Sequence, residues 1–242
     1  MQAIILAGGL GTRLKSVVAD KPKVLSPVAN KPFLDYLIHF LQQQGVTDFI
    51  FSLGYLSNQV LNFLQEQYPH LSYQYTIETT PLGTGGGIKK AIELATDEDI
   101  LIVNADTFFD VNLKAMMQFH KAAHAHCTVS LKIMNNFDRY GTVELNEQQN
   151  IVSFKEKTFT QEGFINGGYL IFKKAYFLQA TASLPAVFGY EKDFLAPNLQ
   201  KMIIKGFIAD GYFIDIGIPE DFAIAQQVFA NFSNSMKHFQ NE

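Results

Sequence analysis

The chain holds a single cysteine, no tryptophan and few charges, and each scarcity excludes something. With Cys127 as the only thiol, no intramolecular disulfide forms, which fits a cytoplasmic, reducing setting. Cys127 opens a strand-like run, CTVSLKI, and reads as a buried structural thiol rather than a nucleophile. No apolar stretch reaches the ~18 residues of a membrane span. The opening MQAIILAGG lacks a basic lead and runs straight into glycines, so a first strand is expected there, not a signal peptide. Basic residues number 19 against 23 acidic, a formal net charge of −4, and no basic run is interleaved with aromatics. Nucleic acid and anionic membranes both require dense positive patches, so neither is expected as a partner. A Ser-centred nucleophile elbow, a hexapeptide β-helix repeat, an interdomain linker and low-complexity segments are all missing.

What remains is a 242-residue chain, 48% hydrophobic, the composition of a folded protein and not of a disordered one. One domain of this length buries roughly 70–75% of its unfolded surface, so a single α/β domain is expected. AIILA is a continuous apolar run of the kind buried on both faces of a parallel sheet. Pro32 to Gln44 predicts a helix, with Asn30 as cap and Gly45 as stop. DFIFSLG, LSYQYTI and DILIVNAD predict further strands, alternating with helices over Ser57 to Gln67 and Ile88 to Ala95. That rhythm implies right-handed crossovers and a Rossmann-like, mostly parallel twisted sheet with helices on both faces. After residue 127 the pattern changes. TVSLKIM, GTVELN, IVSFKEK and GGYLIF predict a small antiparallel addition at one edge. FIADGYFIDIG predicts two short strands, followed by a helix from Pro219 to about Ala230.

The sharpest chemical signal ends the first strand: Leu6-Ala7-Gly8-Gly9-Leu10-Gly11-Thr12-Arg13. Glycines let backbone N–H groups approach a phosphate chain and hold it as an anion nest. The loop is neither a dinucleotide fingerprint nor a P-loop, since the required third glycine and the G-K-[ST] are missing. Arg13 beyond it and Lys23 in Lys21-Pro22-Lys23 add a forked and a compact cation, suited to phosphates. Asp106 follows an apolar strand, where open α/β sheets place ligands and where a carboxylate suits Mg²⁺. The histidines His120, His124 and His126 have metal-like spacing but no companion ligand, and an exposed helix end is expected. Phe108 and Phe109 are expected in the core.

GGxGTR followed by PK resembles the sugar-1-phosphate nucleotidyltransferases, or nucleoside-diphosphate-sugar pyrophosphorylases, and the resemblance recurs in order down to residue 222. It implies the nucleotide-diphospho-sugar transferase fold over residues 1–231. The nucleotide would bind to about 1–110 and the sugar to about 127–222, with a flexible tail at 232–242. It implies that Leu6, Gly8, Gly9, Gly11 and Thr12 wrap a triphosphate, with Arg13 on its outer phosphates and Lys23 on the reacting one. Glu78-Thr79-Thr80-Pro81-Leu82-Gly83-Thr84 resembles the base-reading loop. It brings Glu78, Pro81, Gly83 and Thr84 to the nucleobase. Glu78 offers a carboxylate to guanine's ring N–H and amine, although uracil and thymine also present a ring N–H.

Asp106 matches the family's metal-binding Asp, and Asp215 in GYFIDIG matches its second metal ligand, implying Mg²⁺ as cofactor. On the acceptor side, Tyr140-Gly141, Glu156-Lys157 and Asn166 match segments that bind the sugar and its phosphate. Family members usually have Pro after that Lys, whereas Thr158 follows here. ETTPLGTGGGIKKA and FINGGYLIF are most similar to heptose 1-phosphate guanylyltransferases, implying GTP and D-glycero-α-D-manno-heptose 1-phosphate as substrates. Mannose 1-phosphate guanylyltransferases and other NDP-hexose enzymes are close in motif. Arg13, Lys23 and Asp106 are the expected catalytic residues. A non-catalytic nucleotide-sugar sensor on the same fold is the rival from another class, though this chain keeps both cations and both metal carboxylates. A monomer and a homodimer are both compatible with the sequence.

Overall fold

The computed structural model describes residues 1–9, 11, 14 and 20–239, with side chains as far as Ala230. Its first half runs β1 (Gln2–Ala7), β2 (Pro27–Val28), β3 (Lys31–Pro32), α1 (Phe33–Gln43), β4 (Asp48–Leu53), α2 (Ser57–Gln67), β5 (Ser72–Ile77), α3 (Gly83–Ile92) and β6 (Asp99–Asn104). There follow β7 (Thr107–Phe109), α4 (Leu113–Ala122), β8 (Cys127–Phe137), β9 (Val143–Leu145), β10 (Ile151–Phe154) and β11 (Thr160–Lys173). The chain closes with α5 (Lys174–Ala180), a π-helical turn at Tyr190–Leu195, β12 (Ile204–Ala209), β13 (Phe213–Asp215) and α6 (Pro219–Phe239).

Four parallel strands in the order β5, β4, β1, β6 form the centre of the main sheet. Successive residues of β1 serve opposite faces, as the period of a strand requires. Ala3, Ile5 and Ala7 pack with residues of α1, α4 and α6, while Ile4 packs with Ile88, Ala91 and Ile92 of α3. Ile4 and Ile5 are completely buried, each contributing roughly 1.5–3 kcal/mol of transfer free energy. Both faces are therefore covered, which is why β1 reads as an unbroken apolar run.

From β1 the chain steps outward to β4 and β5, then returns across β1 to β6. Strand order thus reverses between β1 and β6, and ligands of open α/β sheets bind at the carboxyl ends beside such a reversal. Beyond β6 the sheet turns antiparallel. β11 pairs with β6 and with β8, and β12 adds parallel to β8. The register of β11 on β8 slips between Asn166 and Leu170, where Gly168 has a φ of +82°. Such a bulge re-aims the side chain beside it. The short β7 and β13 pair separately, setting Thr107 opposite Asp215.

Several local expectations are corrected. Asn30 does not cap α1; it sits at φ +70° in the β2–β3 turn, and the position before the helix is Pro32. α3 begins at Gly83, five residues before the expected Ile88, because Gly85 and Gly86 donate their N–H groups to the Phe188 carbonyl and hold the turn helical. His120 is not at an exposed helix end. It is fully buried, with Nδ1 2.8 Å from the Thr128 hydroxyl and Nε2 3.4 Å from an Asp99 carboxylate oxygen. Burial depresses its pKa, so the neutral ring is favoured. The last helix extends past Ala230 to Phe239. Cys127 is buried as expected, with its thiol pKa pushed up, and Phe108 and Phe109 lie in the core.

Candidate active site

The carboxyl ends of β1 and β6 open into a cavity of about 440 Å³. Leu6, Gly8, Gly9 and Gly11 form one wall; Glu78, Pro81, Gly83 and Thr84 form another; Asn104 and Asp106 close it. Residues distant in sequence meet here because three crossovers return the chain to the same sheet edge. Thr12 and Arg13, expected on the triphosphate, lie outside the described residues.

Glu78 is held in place by two neighbours. Its Oε2 accepts the Leu82 N–H at 2.9 Å, and Oε1 lies 3.4 Å from the Ser52 hydroxyl. Gly83 carries a φ of +71°, and a Cβ there would lie 2.6 Å from the Phe188 carbonyl oxygen. Only glycine meets both demands. Thr84 lines the cavity and its hydroxyl accepts the Tyr190 N–H at 3.2 Å.

Lys23 is the electrostatic centre of the site. Its Nζ lies 2.6 Å from Asp106 Oδ2 and 3.7 Å from Asp215 Oδ1, with the lysine side chain only 12% exposed. Asp106 lies in the turn before β7 and Asp215 ends β13, and the Ile216 N–H to Asp106 carbonyl bond of 2.9 Å ties them together. Gly217 permits the approach, since a Cβ there would sit 2.7 Å from Asp215 Oδ1 and 2.9 Å from Lys23 Nζ. A positive charge thus already rests between the two carboxylates, where a cation is stabilised. No third His, Cys, Asp or Glu completes a metal cage among the described residues. Two carboxylate side chains suit a hard divalent cation rather than a closed structural metal site.

A second cavity, about 270 Å³, adjoins the first through Asn104 and Asp106. Tyr140, Gly141, Lys157, Asn166 and Asp215 line it, five of the positions expected for sugar phosphate and metal. Asn166, aimed by the β11 bulge, donates through Nδ2 to Glu191 Oε2 at 2.8 Å and to the Tyr190 hydroxyl at 3.0 Å. Its Oδ1 accepts the Gly168 N–H at 2.9 Å. Burial raises the pKa values of Tyr140 and Tyr190, keeping both phenols neutral. Glu156, expected on sugar hydroxyls, is not brought in. Its side chain is 87% exposed, 3.9 Å from Lys192, and it does not line the cavity. Lys155 is paired to Glu144, and within this short segment Lys157 reaches the cavity while Glu156 faces solvent.

Sequence reasoning missed Ser52, Thr107, Gly168 and Tyr190 as lining residues. Ser52 carried a signal, being the one hydroxyl in the otherwise apolar DFIFSL strand. Tyr190 carried none, because only the fold brings it to Asn166. A larger hollow of about 680 Å³ lies at the opposite, amino end of β1 and β6, lined by Met1, Asp99, His120 and Lys173. Among its lining residues there is no glycine.

The Nucleotidyl transferase family matches residues 2–231, and the chain belongs to that family. It is 45% identical over 227 residues to a D-glycero-alpha-D-manno-heptose 1-phosphate guanylyltransferase of Aneurinibacillus thermoaerophilus, covering 94% of this chain and 97% of that protein. Against the enzyme of the same description from Campylobacter jejuni it is 41% identical over 222 residues, covering 92% and 97%. The crystal structure of HddC from Yersinia pseudotuberculosis complexed with GMP-PN superposes with a TM-score of 0.83 at 34% identity, covering 94% of this chain and 99% of that one.

Proposed function

We propose that this protein joins D-glycero-α-D-manno-heptose 1-phosphate to GTP, forming GDP-heptose and releasing pyrophosphate. The observation that carries the reading is the Lys23–Asp106–Asp215 cluster at the seam of two adjoining cavities, one glycine-walled and one lined by Asn166 and Lys157. Guanylyltransferase relatives matched along nearly their whole length support the choice of base and sugar.

The attacking oxygen belongs to a phosphate that is already anionic, so no general base is required. A bond forms from that oxygen to the α-phosphorus, the bond from the α-phosphorus to the β-phosphate bridging oxygen breaks, and pyrophosphate departs. The chain's task is to align two polyanions and offset the charge concentrated between them. Lys23 neutralises the α-phosphate, Arg13 the outer phosphates, and Lys157 the incoming sugar phosphate. Backbone N–H groups of the Gly8–Gly11 turn cradle the triphosphate. Glu78, fixed by Leu82, presents a carboxylate oxygen to guanine's N–H groups, while Asn166 orients the sugar. Asp106 and Asp215 would hold Mg²⁺, which would supply further positive charge beside the reacting phosphates. The cytoplasm, where nucleoside triphosphates are abundant, is the compartment this chemistry suits.

Pyrophosphate release from the purified protein, measured with each NTP against heptose, mannose and glucose 1-phosphates, tests the proposal. GTP with heptose 1-phosphate is the expected best pair, and chelation of divalent ions abolishes turnover. A preference for UTP or dTTP overturns the assignment. Tight nucleotide binding without turnover favours the sensor.

A further inference from the structure

Between the loop after β8 and the first turn of α6 lies a hollow of about 340 Å³. Tyr140, Lys157 and Asp215 line both this hollow and the sugar-side cavity, so the two spaces adjoin. Arg139 stands on its outer wall. Arg139 Nη2 is 3.1 Å from Asp221 Oδ1 and 3.0 Å from Oδ2, and its guanidinium carbon is 5.8 Å from the centroid of the Tyr140 ring. One nitrogen of the fork is engaged; the arginine side chain is 43% exposed.

Among the described residues, carboxylates outnumber the cations that face the joined space. Asp106, Asp215, Glu191 and Asp221 face it, against Lys157 and Arg139. Lys23 is already committed to Asp106. A phosphate monoester adds roughly 1.5–2 negative charges at neutral pH, more than the single charge of Lys157 offsets. We propose that Arg139 is a binding residue for the phosphate of the sugar 1-phosphate, parked on Asp221 until that phosphate arrives. The proposal rests on the sugar-phosphate reading above. A half-exposed ion pair is held weakly. A phosphate offers the guanidinium two oxygens in the spacing its fork matches, and more charge than a carboxylate. Asp221, left behind in the first turn of α6, remains stabilised by the helix amino terminus. The exchange therefore strands no charge.

Initial rates with NTP and sugar 1-phosphate varied separately, combined with calorimetry of sugar 1-phosphate binding alone, test this. Arg139→Ala is expected to raise the KM for sugar 1-phosphate about 10- to 100-fold, the loss of one charge-assisted contact, leaving the NTP KM within about 3-fold. Arg139→Lys, which keeps the charge but not the fork, falls between. Asp221→Asn, which releases the arginine, leaves the sugar-phosphate KM equal or lower. A rise in Asp221→Asn matching that in Arg139→Ala shows a mere clasp between loop and helix and overturns the proposal. So does an unchanged KM in Arg139→Ala, or an equal rise for both substrates. Arg139-dependent binding of sugar phosphate by a protein that releases no pyrophosphate defeats the transfer reading and leaves this assignment standing. Normal turnover indifferent to Arg139 does the reverse.

Discussion

The nucleotide side of the crevice is built from the ends of parallel strands, whereas the sugar side is built from a bulge, turns and loops. Leu6, Ser52 and Asn104 belong to β1, β4 and β6, three adjacent strands locked in register by their ladders. Asn166, Tyr140 and Lys157 owe their positions to a slipped register, a bend after β8 and an exposed link between β10 and β11. Buried strand ends hold the glycine-walled pocket rigid and leave little to vary. Loops hold a sugar pocket with fewer backbone bonds, and there a change of substrate disturbs the sheet least.

The largest expected effect falls where both sides meet. Asp106→Ala or Lys23→Ala lowers kcat about 10²-fold or more, the scale of a lost electrostatic stabiliser, whichever sugar is supplied. Turnover within ten-fold of normal in either variant removes that residue from the chemistry. Next, Gly83→Ala destabilises the protein by about 2–4 kcal/mol in denaturant titrations, adding a clash to left-handed strain. Gly45, at φ +87° with nothing within 4 Å of an added Cβ, is its control, and Gly45→Ala costs only about 1–2 kcal/mol. Equal losses at the two positions show that the Phe188 contact adds nothing. Glu78→Gln lowers kcat/KM for GTP about 10- to 30-fold through one lost charged acceptor, with the sugar-phosphate KM unmoved. A matching fall with every NTP shows that Glu78 shapes the loop instead of reading the base. The smallest effect belongs to Glu156→Ala, about 3-fold or less on the sugar-phosphate KM, as for an exposed group. A ten-fold rise instead means that the loop folds inward over bound sugar, and the contrast between rigid and open sides weakens.

The same contrast governs what could be read from the chain. Strands covered on both faces advertise themselves as apolar runs, so β1, β4 and β6 and the acidic residue after β6 were legible. Gly11 in the loop after β1 is legible because its φ of +59° is one that other residues rarely adopt. Features set by distant partners were not. The early start of α3 depends on a carbonyl at Phe188, about which residues 83–88 say nothing; their glycines argue against a helix. The burial of His120 depends on Thr128 and Asp99 closing around it. Glu156 sits in a motif of the right spelling, yet a motif fixes order along the chain and not the direction in which a loop leaves a strand.

Residues 188–191 link the two pockets: Tyr190 and Glu191 line the second, and Tyr190 bonds to Thr84 of the first. The Phe188 backbone bonds to Leu82, Gly85 and Gly86, while Tyr190 takes Thr84 on one side and Asn166 on the other. A grafted base-recognition loop would consequently inherit a neighbour cut to fit the old one. Hybrid enzymes with exchanged nucleobase preference should require residues 81–86 and 188–191 to travel as a unit, and chimaeras that split the two should lose fidelity toward the sugar as well as the base.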